Sequence, residues 1–247
     1  MLPKTTTQEY LHRKYKRQLE IELFVEALKA FLKQRSDLTS ENITILEFGA
    51  GDGFQVPYLK TIGRLIASDI YTSSGIKSLG KNVDFVECSI TDMPFRDAQF
   101  DIVFANQVIP DLNDLTHSFR EAQRIGKPST IYAFSVATSL WLMLSIPALY
   151  YNKIRYGVQS YEIDSKLKKF LRIILPEGRG RWNFLECYRH YRIKNWKRLF
   201  HDNGFFVIGI KPLLLYGPSE WPIIPTSVSK TNLCSSVLFL LKKRENQ

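Results

Sequence analysis

Cysteine is scarce in this chain of 247 residues, and what there is follows no metal or disulfide spacing. Cys88, Cys187 and Cys234 are an odd number, widely separated, with no C-x-x-C pair. That argues against a disulfide framework and against a zinc site, and no metal ligand set is expected; it fits a reducing compartment. Met1 to Lys16 is polar and charged and lacks the apolar core of a secretory leader. Long apolar runs are nearly absent as well. Thr130 to Tyr151 holds 22 residues without a charge, formally enough to span a bilayer. Its first part is needed as a β-strand, and Ser135, Thr138, Ser139, Ser145 and Pro147 interrupt it, so the expectation is a short apolar piece over Leu140–Ile146. Such a piece either caps an apolar substrate pocket or lies in a membrane interface.

Two phosphate-binding signatures are missing too. Counting from Gly49, the third glycine of a dinucleotide G-x-G-x-x-G falls on Phe54, and no G-K-[ST] follows. What stands there is Ile43-Thr44-Ile45-Leu46-Glu47-Phe48-Gly49-Ala50-Gly51-Asp52-Gly53-Phe54. A β-branched, apolar run closed by a carboxylate reads as a buried parallel strand. The alternating glycines let the next turn fold tightly and approach a ligand. A helix is expected from about Gln55, its unpaired N–H groups facing whatever sits over the loop.

Downstream, the chain alternates. Leu65–Ile70, Val83–Cys88, Phe100–Ala105 and Thr130–Val136 read as strands, with helical stretches such as Leu115–Arg124 between them. This implies a parallel α/β sheet with right-handed crossovers. Thr7–Arg35 reads as an amphipathic helix, through Leu19, Leu23, Phe24, Leu28, Phe31 and Leu32, and is expected on the sheet edge or as a lid. Alternation stops after Val136, where an aromatic, basic block runs to about Asn195. It resumes with a helix around Trp196–Phe200, a stop at Asn203-Gly204, and strands at Phe205–Ile210 and Ser235–Leu241. One domain accounts for the length, with residues 1–40 as an N-terminal helical lid and 137–195 as an insertion.

E-x-G-x-G-x-G resembles the class I S-adenosylmethionine (SAM)-dependent methyltransferases, in particular the branch with a type 11 methyltransferase domain. The resemblance covers roughly residues 43–136 and returns at 196–241. It implies a Rossmann-like, seven-stranded, mostly parallel sheet with helices on both faces and an antiparallel last strand, the 137–195 block being the substrate-side insertion. It also implies SAM as cofactor. Gly49, Ala50, Gly51 and Gly53 then pass against its methionine and ribose portions, and Glu47 anchors the methionine amino end. Asp69, about 20 residues after the motif, is placed for the ribose hydroxyls, with Ile70 beside it. Glu87–Phe95 is similar to the family's G-D-A-x-x-L-P-F segment, registered on Met93-Pro94-Phe95. Ser89 then stands where the adenine-binding Asp is usual, followed by Ile90, and a hydroxyl accepts more weakly than a carboxylate. Phe100-Asp101-Ile102-Val103 is similar to the family's F-D-x-V, with Asp101 structural and Asn106 and Gln107 at the methyl-facing end. Pro110-Asp111 replaces the family's usual Glu-His.

For the acceptor, Asn106-Gln107-Val108-Ile109 lacks the tetrad of base-amino methyltransferases, and no cysteine has the Pro-Cys setting of base C5 methylation. Nucleic acid is therefore disfavoured, although the net charge is +10 and residues 152–211 carry 14 Lys and Arg against 5 Asp and Glu. Aromatics mixed with cations suit sugars, prenyl tails or phosphates. Glu186–Arg192 is similar to a segment of methyltransferases associated with surface-polysaccharide or glycolipid assembly. The expectation is O-methylation of a small-molecule, glycan or lipid-linked acceptor by a cytoplasmic protein, peripheral at the inner membrane face and drawn to an anionic surface. His190 is the candidate general base, with Tyr188 and Tyr191 in reserve; a structural His190 is the competing reading. The rivals are a quinone or lipid-ring methyltransferase and a non-catalytic SAM-fold binding protein. Nothing in the sequence speaks to oligomeric state.

Overall fold

The computed structural model describes residues 7–33, 42–156, 184–216, 223–225 and 233–244. Strands β1 (Thr44–Phe48), β2 (Arg64–Asp69), β3 (Asp84–Glu87), β4 (Phe100–Asn106), β5 (Gly126–Ala137), β6 (Phe205–Pro212) and β9 (Ser236–Lys243) form one sheet in the order β3-β2-β1-β4-β5-β9-β6. β1 to β5 are parallel, and β9 runs antiparallel to both β5 and β6. This is the expected class I architecture. Two short strands, β7 (Leu214–Tyr216) and β8 (Ile223–Pro225), pair separately.

Strand periodicity divides the core in two. Leu46, Phe48, Val103, Ala105, Tyr132, Phe134 and Phe239 point to one face, and Ile45, Ile102, Phe104, Ile131, Ala133 and Leu238 to the other. The first face is covered by α4 (Leu115–Ile125), α6 (Phe184–His190) and α7 (Ile193–Asp202). Helix α4 buries Leu115, Ser118, Phe119, Ala122 and Ile125, a helical stripe, and Asp114 caps it by accepting from His117 N at 2.9 Å. The opposite face carries α1 (Thr7–Leu32), the single-turn α2 (Val56–Leu59) and α3 (Ser74–Leu79).

Helix α1 lies on the sheet face rather than at its edge. Ile21, Phe24 and Leu28 are its buried seam, and Phe24 meets Phe104 edge-on at 5.4 Å. Burying each such side chain contributes about 1.5–3 kcal/mol. Its buried acid Glu20 pairs with Lys16 at 2.8 Å and accepts from Ser236 Oγ, tying the helix to β9. Thr130–Ala137 is strand, so the uncharged run is split, and α5 (Ser139–Tyr156) begins only after it, with Pro147 inside. No described helix is long and apolar enough to cross a membrane. Tyr161, Trp182 and the Pro-rich stretch at Pro218 and Pro222 lie outside the described residues.

Candidate cofactor and acceptor site

β1 delivers its glycine loop to the carboxyl end of the sheet, between β2 and β4. Gly49, Gly51 and Gly53 all have positive φ, at 70°, 59° and 76°. A Cβ on Gly49 would lie 2.3 Å from Val108 Cγ2, so this residue is fixed by packing. A Cβ on Gly51 would meet nothing within 4 Å, so there the loop faces open space. The helix expected from Gln55 is a single turn, and it does not present a row of N–H groups. Ala50 N donates to Ser68 O at 3.0 Å, Gly51 N to Asp69 Oδ2 at 2.8 Å, Gly53 N to Ala50 O at 2.9 Å and Phe54 N to Asp52 Oδ1 at 3.2 Å. The loop thus spends these donors on itself and on the end of β2, the reverse of what a phosphate requires.

Its charge also has the wrong sign for phosphate. Glu47 is 1% exposed at the end of β1, and neither carboxylate oxygen has a hydrogen-bond partner among the described residues. Burial pushes its acid up to about 8; Arg17 opposes this, and Asp52 and Asp69 add to it. An orphaned buried acid is costly unless a cation or donor reaches it. SAM fits this donor set, since it brings an ammonium and a sulfonium and no phosphate.

Asp69 ends β2 half-buried, with Oδ2 accepting from Gly51 N and Oδ1 from Ile70 N at 2.7 Å. Both oxygens keep further acceptor capacity. Next to it, Ile70 is 69% exposed, an apolar surface held open at the sheet's carboxyl edge. Ser89 is exposed in a tight turn, its hydroxyl 2.8 Å from Thr91 Oγ1 and accepting from Thr91 N at 3.2 Å. Ile90 packs against the core. Asn106 Oδ1 accepts from Ser135 Oγ, and Gln107 donates its N–H to Ser135 O at 3.0 Å. Gln107 has φ 59°, a strained value for a non-glycine residue at the end of the central strand. Asp101 sits at the other end of β4 and accepts from Thr44 N at 2.9 Å and Lys127 Nζ at 2.8 Å, which holds its carboxyl below the usual range and makes it structural as expected.

Arg17 of α1 was not foreseen. Its guanidinium grips Asp52 with two bonds of 2.7 and 2.6 Å and lies 4.5 Å over the Phe54 ring. The pair holds the Asp52 carboxyl below its ordinary value. The contact spans 35 positions, so no local pattern announces it.

The proposed acid–base residues lie across the sheet top, on and after α6. Tyr191 is fully buried, stacked 5.8 Å from Trp196 and tilted against Trp141 at 6.5 Å, and its carbonyl accepts from Ser139 N. Tyr188 is half-buried with Arg192 at 5.1 Å over its ring, and His190 is half-buried at the end of α6. The fold brings these three together near the end of β5. The cofactor candidates gather instead around the ends of β1, β2 and β4.

Residues 46–134 match the family model described as methyltransferase domain, Methyltransf_11. Comparison with curated protein sequences found no match. Among solved structures, a SAM-dependent methyltransferase from Aquifex aeolicus is similar at 16% identity and TM-score 0.52, covering 94% of this chain and 97% of that one. YcgJ protein from Bacillus subtilis is similar at 14% identity and TM-score 0.54, covering 92% and 99%. A SAM-dependent methyltransferase from Thermotoga maritima, described as a possible histamine N-methyltransferase, is similar at 17% identity and TM-score 0.52, covering 96% and 97%. These likenesses concern the fold.

Proposed function

We propose, for a chain that is a SAM-dependent methyltransferase with its methyltransferase domain at residues 46–134, that the methyl group goes to a hydroxyl of a glycan or lipid-linked acceptor at the cytoplasmic face of a membrane. When bound, SAM supplies a methyl carbon on a positively charged sulfur, a good leaving group, so that positioning and water exclusion carry most of the acceleration. Glu47 holds the ammonium of the methionine portion, and Gly51 lets the backbone pass close to it. Asp69 accepts from the ribose hydroxyls while its bond to Gly51 N keeps the loop in place. Ile70 and Ile90 supply apolar contact for the adenine, and Ser89 accepts from its amino group. Asn106 and Gln107 face the methyl-bearing end. His190 takes the acceptor's hydroxyl proton, with Tyr188 and Tyr191 as reserve groups.

One observation carries the acceptor reading. Beyond β5, α5 and α6 leave Met143 50%, Leu144 37% and Leu185 57% exposed, beside exposed Arg189 and Arg192. Apolar side chains rimmed by cations suit an acyl or prenyl tail in an anionic interface. The same apolar surface also suits a quinone or other lipid ring, which needs no sugar contacts. Transfer of radiolabelled methyl from SAM into lipid, glycan and RNA extracts tests the reading. Label in a lipid-linked or glycan fraction is expected, and label confined to RNA would overturn it.

A further inference from the structure

We infer that the cleft between the start of α5 and the start of α7 is a phosphate-binding subsite for the acceptor. This rests on the methyltransferase reading and names the chemistry of its substrate. The cleft encloses about 430 Å³ and is lined by Thr138, Ser139, Tyr191, Arg192, Lys194 and Lys197 among others.

Among the described residues its charge is uncompensated. Arg192, Lys194 and Lys197 have no ion pair among the described residues; Arg192 rests on the Tyr188 ring. Their placement runs against ordinary helix chemistry. The first turn of a helix favours acids, and its N-cap favours a short side-chain acceptor. Helix α7 instead has Arg192 as N-cap with no side-chain bond, no acid in its first turn, and two lysines spaced i, i+3 on one face. Arg192 and Lys194 at the positive end of the helix are repelled by it, Lys197 one turn on adds a third like charge, and an anion in the cleft reverses both costs. Ser139 adds a hydroxyl with no hydrogen-bond partner among the described residues.

A second cleft, lined by Arg120, Arg124, Lys243 and Arg244 but also by the acid Asp97, shows the contrast. There Arg124 is already held by Glu121 at 2.9 Å and Asp97 at 2.7 Å, and the cleft includes Gly126, at the opposite end of β5. The α5–α7 cleft is at the carboxyl end. Thr138 lies three residues beyond Ser135, whose hydroxyl bonds Asn106 at the end of β4. At a strand rise of ~3.3 Å per residue that is ~10 Å, a span that one phosphorylated sugar bridges. A phosphate held by Arg192, Lys194 and Lys197 therefore leaves the attached sugar's hydroxyls directed to the end of β4.

The test uses the full chain and titrates pyrophosphate by calorimetry, with SAM binding measured separately on the same samples. Lys194→Gln/Lys197→Gln is expected to weaken pyrophosphate roughly tenfold or more, with SAM affinity and melting temperature unchanged. Arg120→Gln/Lys243→Gln, in the opposite cleft, is expected to leave pyrophosphate binding as it was. A second arm uses phosphatidylcholine vesicles with and without a polyprenyl phosphate. Capture that needs both the phosphate lipid and the two lysines assigns a lipid-borne phosphate. Pyrophosphate binding without vesicle capture assigns a soluble phosphorylated acceptor, and either result supports the subsite. Pyrophosphate affinity equal in wild type and the lysine variant, or no pyrophosphate binding while SAM binds, overturns it. So does an RNA oligonucleotide that binds the cleft and is not displaced by pyrophosphate. Failure of SAM itself to bind would count against the methyltransferase reading instead.

Discussion

The two ends of the proposed active site are built on opposite principles. At the cofactor end, the ends of β1 and β2 and one loop bring buried Glu47, half-buried Asp69 and exposed Asp52 together, around glycines whose positive φ strains any other residue. At the acceptor end, residues from β5, α5, α6 and α7 meet in an open, cationic cleft beside exposed methionine and leucine side chains. On the proposed reading, the first is a local device for one positively charged molecule, and the second a surface whose charge and shape set the choice of substrate. Its ties to the shared fold include Ser139 N to Tyr191 O and Trp196 Nε1 to Ala137 O, at 3.0 Å each.

The largest effect that separates the ends is expected from Gly49→Ala. A left-handed Cβ costs about 1–2 kcal/mol, and crowding Val108 adds about 1–3 kcal/mol. Chemical denaturation should show this loss together with loss of SAM binding, and adding Val108→Ala should recover the crowding part while pyrophosphate binding stays intact. If Gly49→Ala alone leaves SAM affinity unchanged, the loop is not the cofactor wall.

Glu47→Gln comes next. The wild-type carboxyl is raised to about 8 in the folded chain and is ordinary when unfolded, so the unfolded state binds fewer protons between those values. Stability of the ligand-free protein should therefore fall as pH rises from about 4.5 toward 8, and the Gln variant should lack that slope in thermal melts. SAM binding near neutrality should release a proton from Glu47, visible as a buffer-dependent binding enthalpy that Glu47→Gln abolishes.

Asp69→Asn should act more mildly, on the order of tenfold in SAM affinity, because one oxygen can still accept from Gly51 N. Its mark is a weaker hold on ribose: the affinity gap between SAM and its 2′-deoxy analogue should shrink relative to wild type. Smallest is Arg17→Met. The Arg17–Asp52 pair is partly exposed, so its loss should cost under about 1 kcal/mol. Asp52 is held below its ordinary value, so the pair contributes above the usual carboxylate range and is lost as pH falls through the lowered value. The variant should erase that acid-side loss in melts at low pH and weaken SAM only a few-fold.

The same contrast explains what the sequence could disclose. Glu47, the glycines and Asp69 were legible because strand, turn and carboxylate follow one another along the chain. The mostly parallel sheet with its antiparallel last strand followed from alternation and the family resemblance. The single-turn α2 was not legible, because Pro57 in its first turn is compatible with a longer helix, and the helix stops at Lys60 only because β2 starts at Arg64. Arg17 on Asp52 was hidden for another reason, since the pairing depends on where α1 crosses the sheet. The cleft at Arg192, Lys194 and Lys197 read as general basic character. Its meaning comes from two helix starts meeting, which spacing along the chain does not encode. His190, Tyr188 and Tyr191 were readable as candidates by type, and the fold adds that the Tyr191 ring is buried among tryptophans.

The central claim is that the buried acid at the end of β1 receives the ammonium of SAM. It is tested most directly by calorimetry with S-adenosylhomocysteine and its analogue lacking the α-amino group, on wild type and Glu47→Gln. Wild type should bind the analogue on the order of a hundredfold more weakly, and the variant should bind both ligands with equal affinity. A Glu47→Gln protein that still prefers the amino-bearing ligand as strongly as wild type would contradict the account.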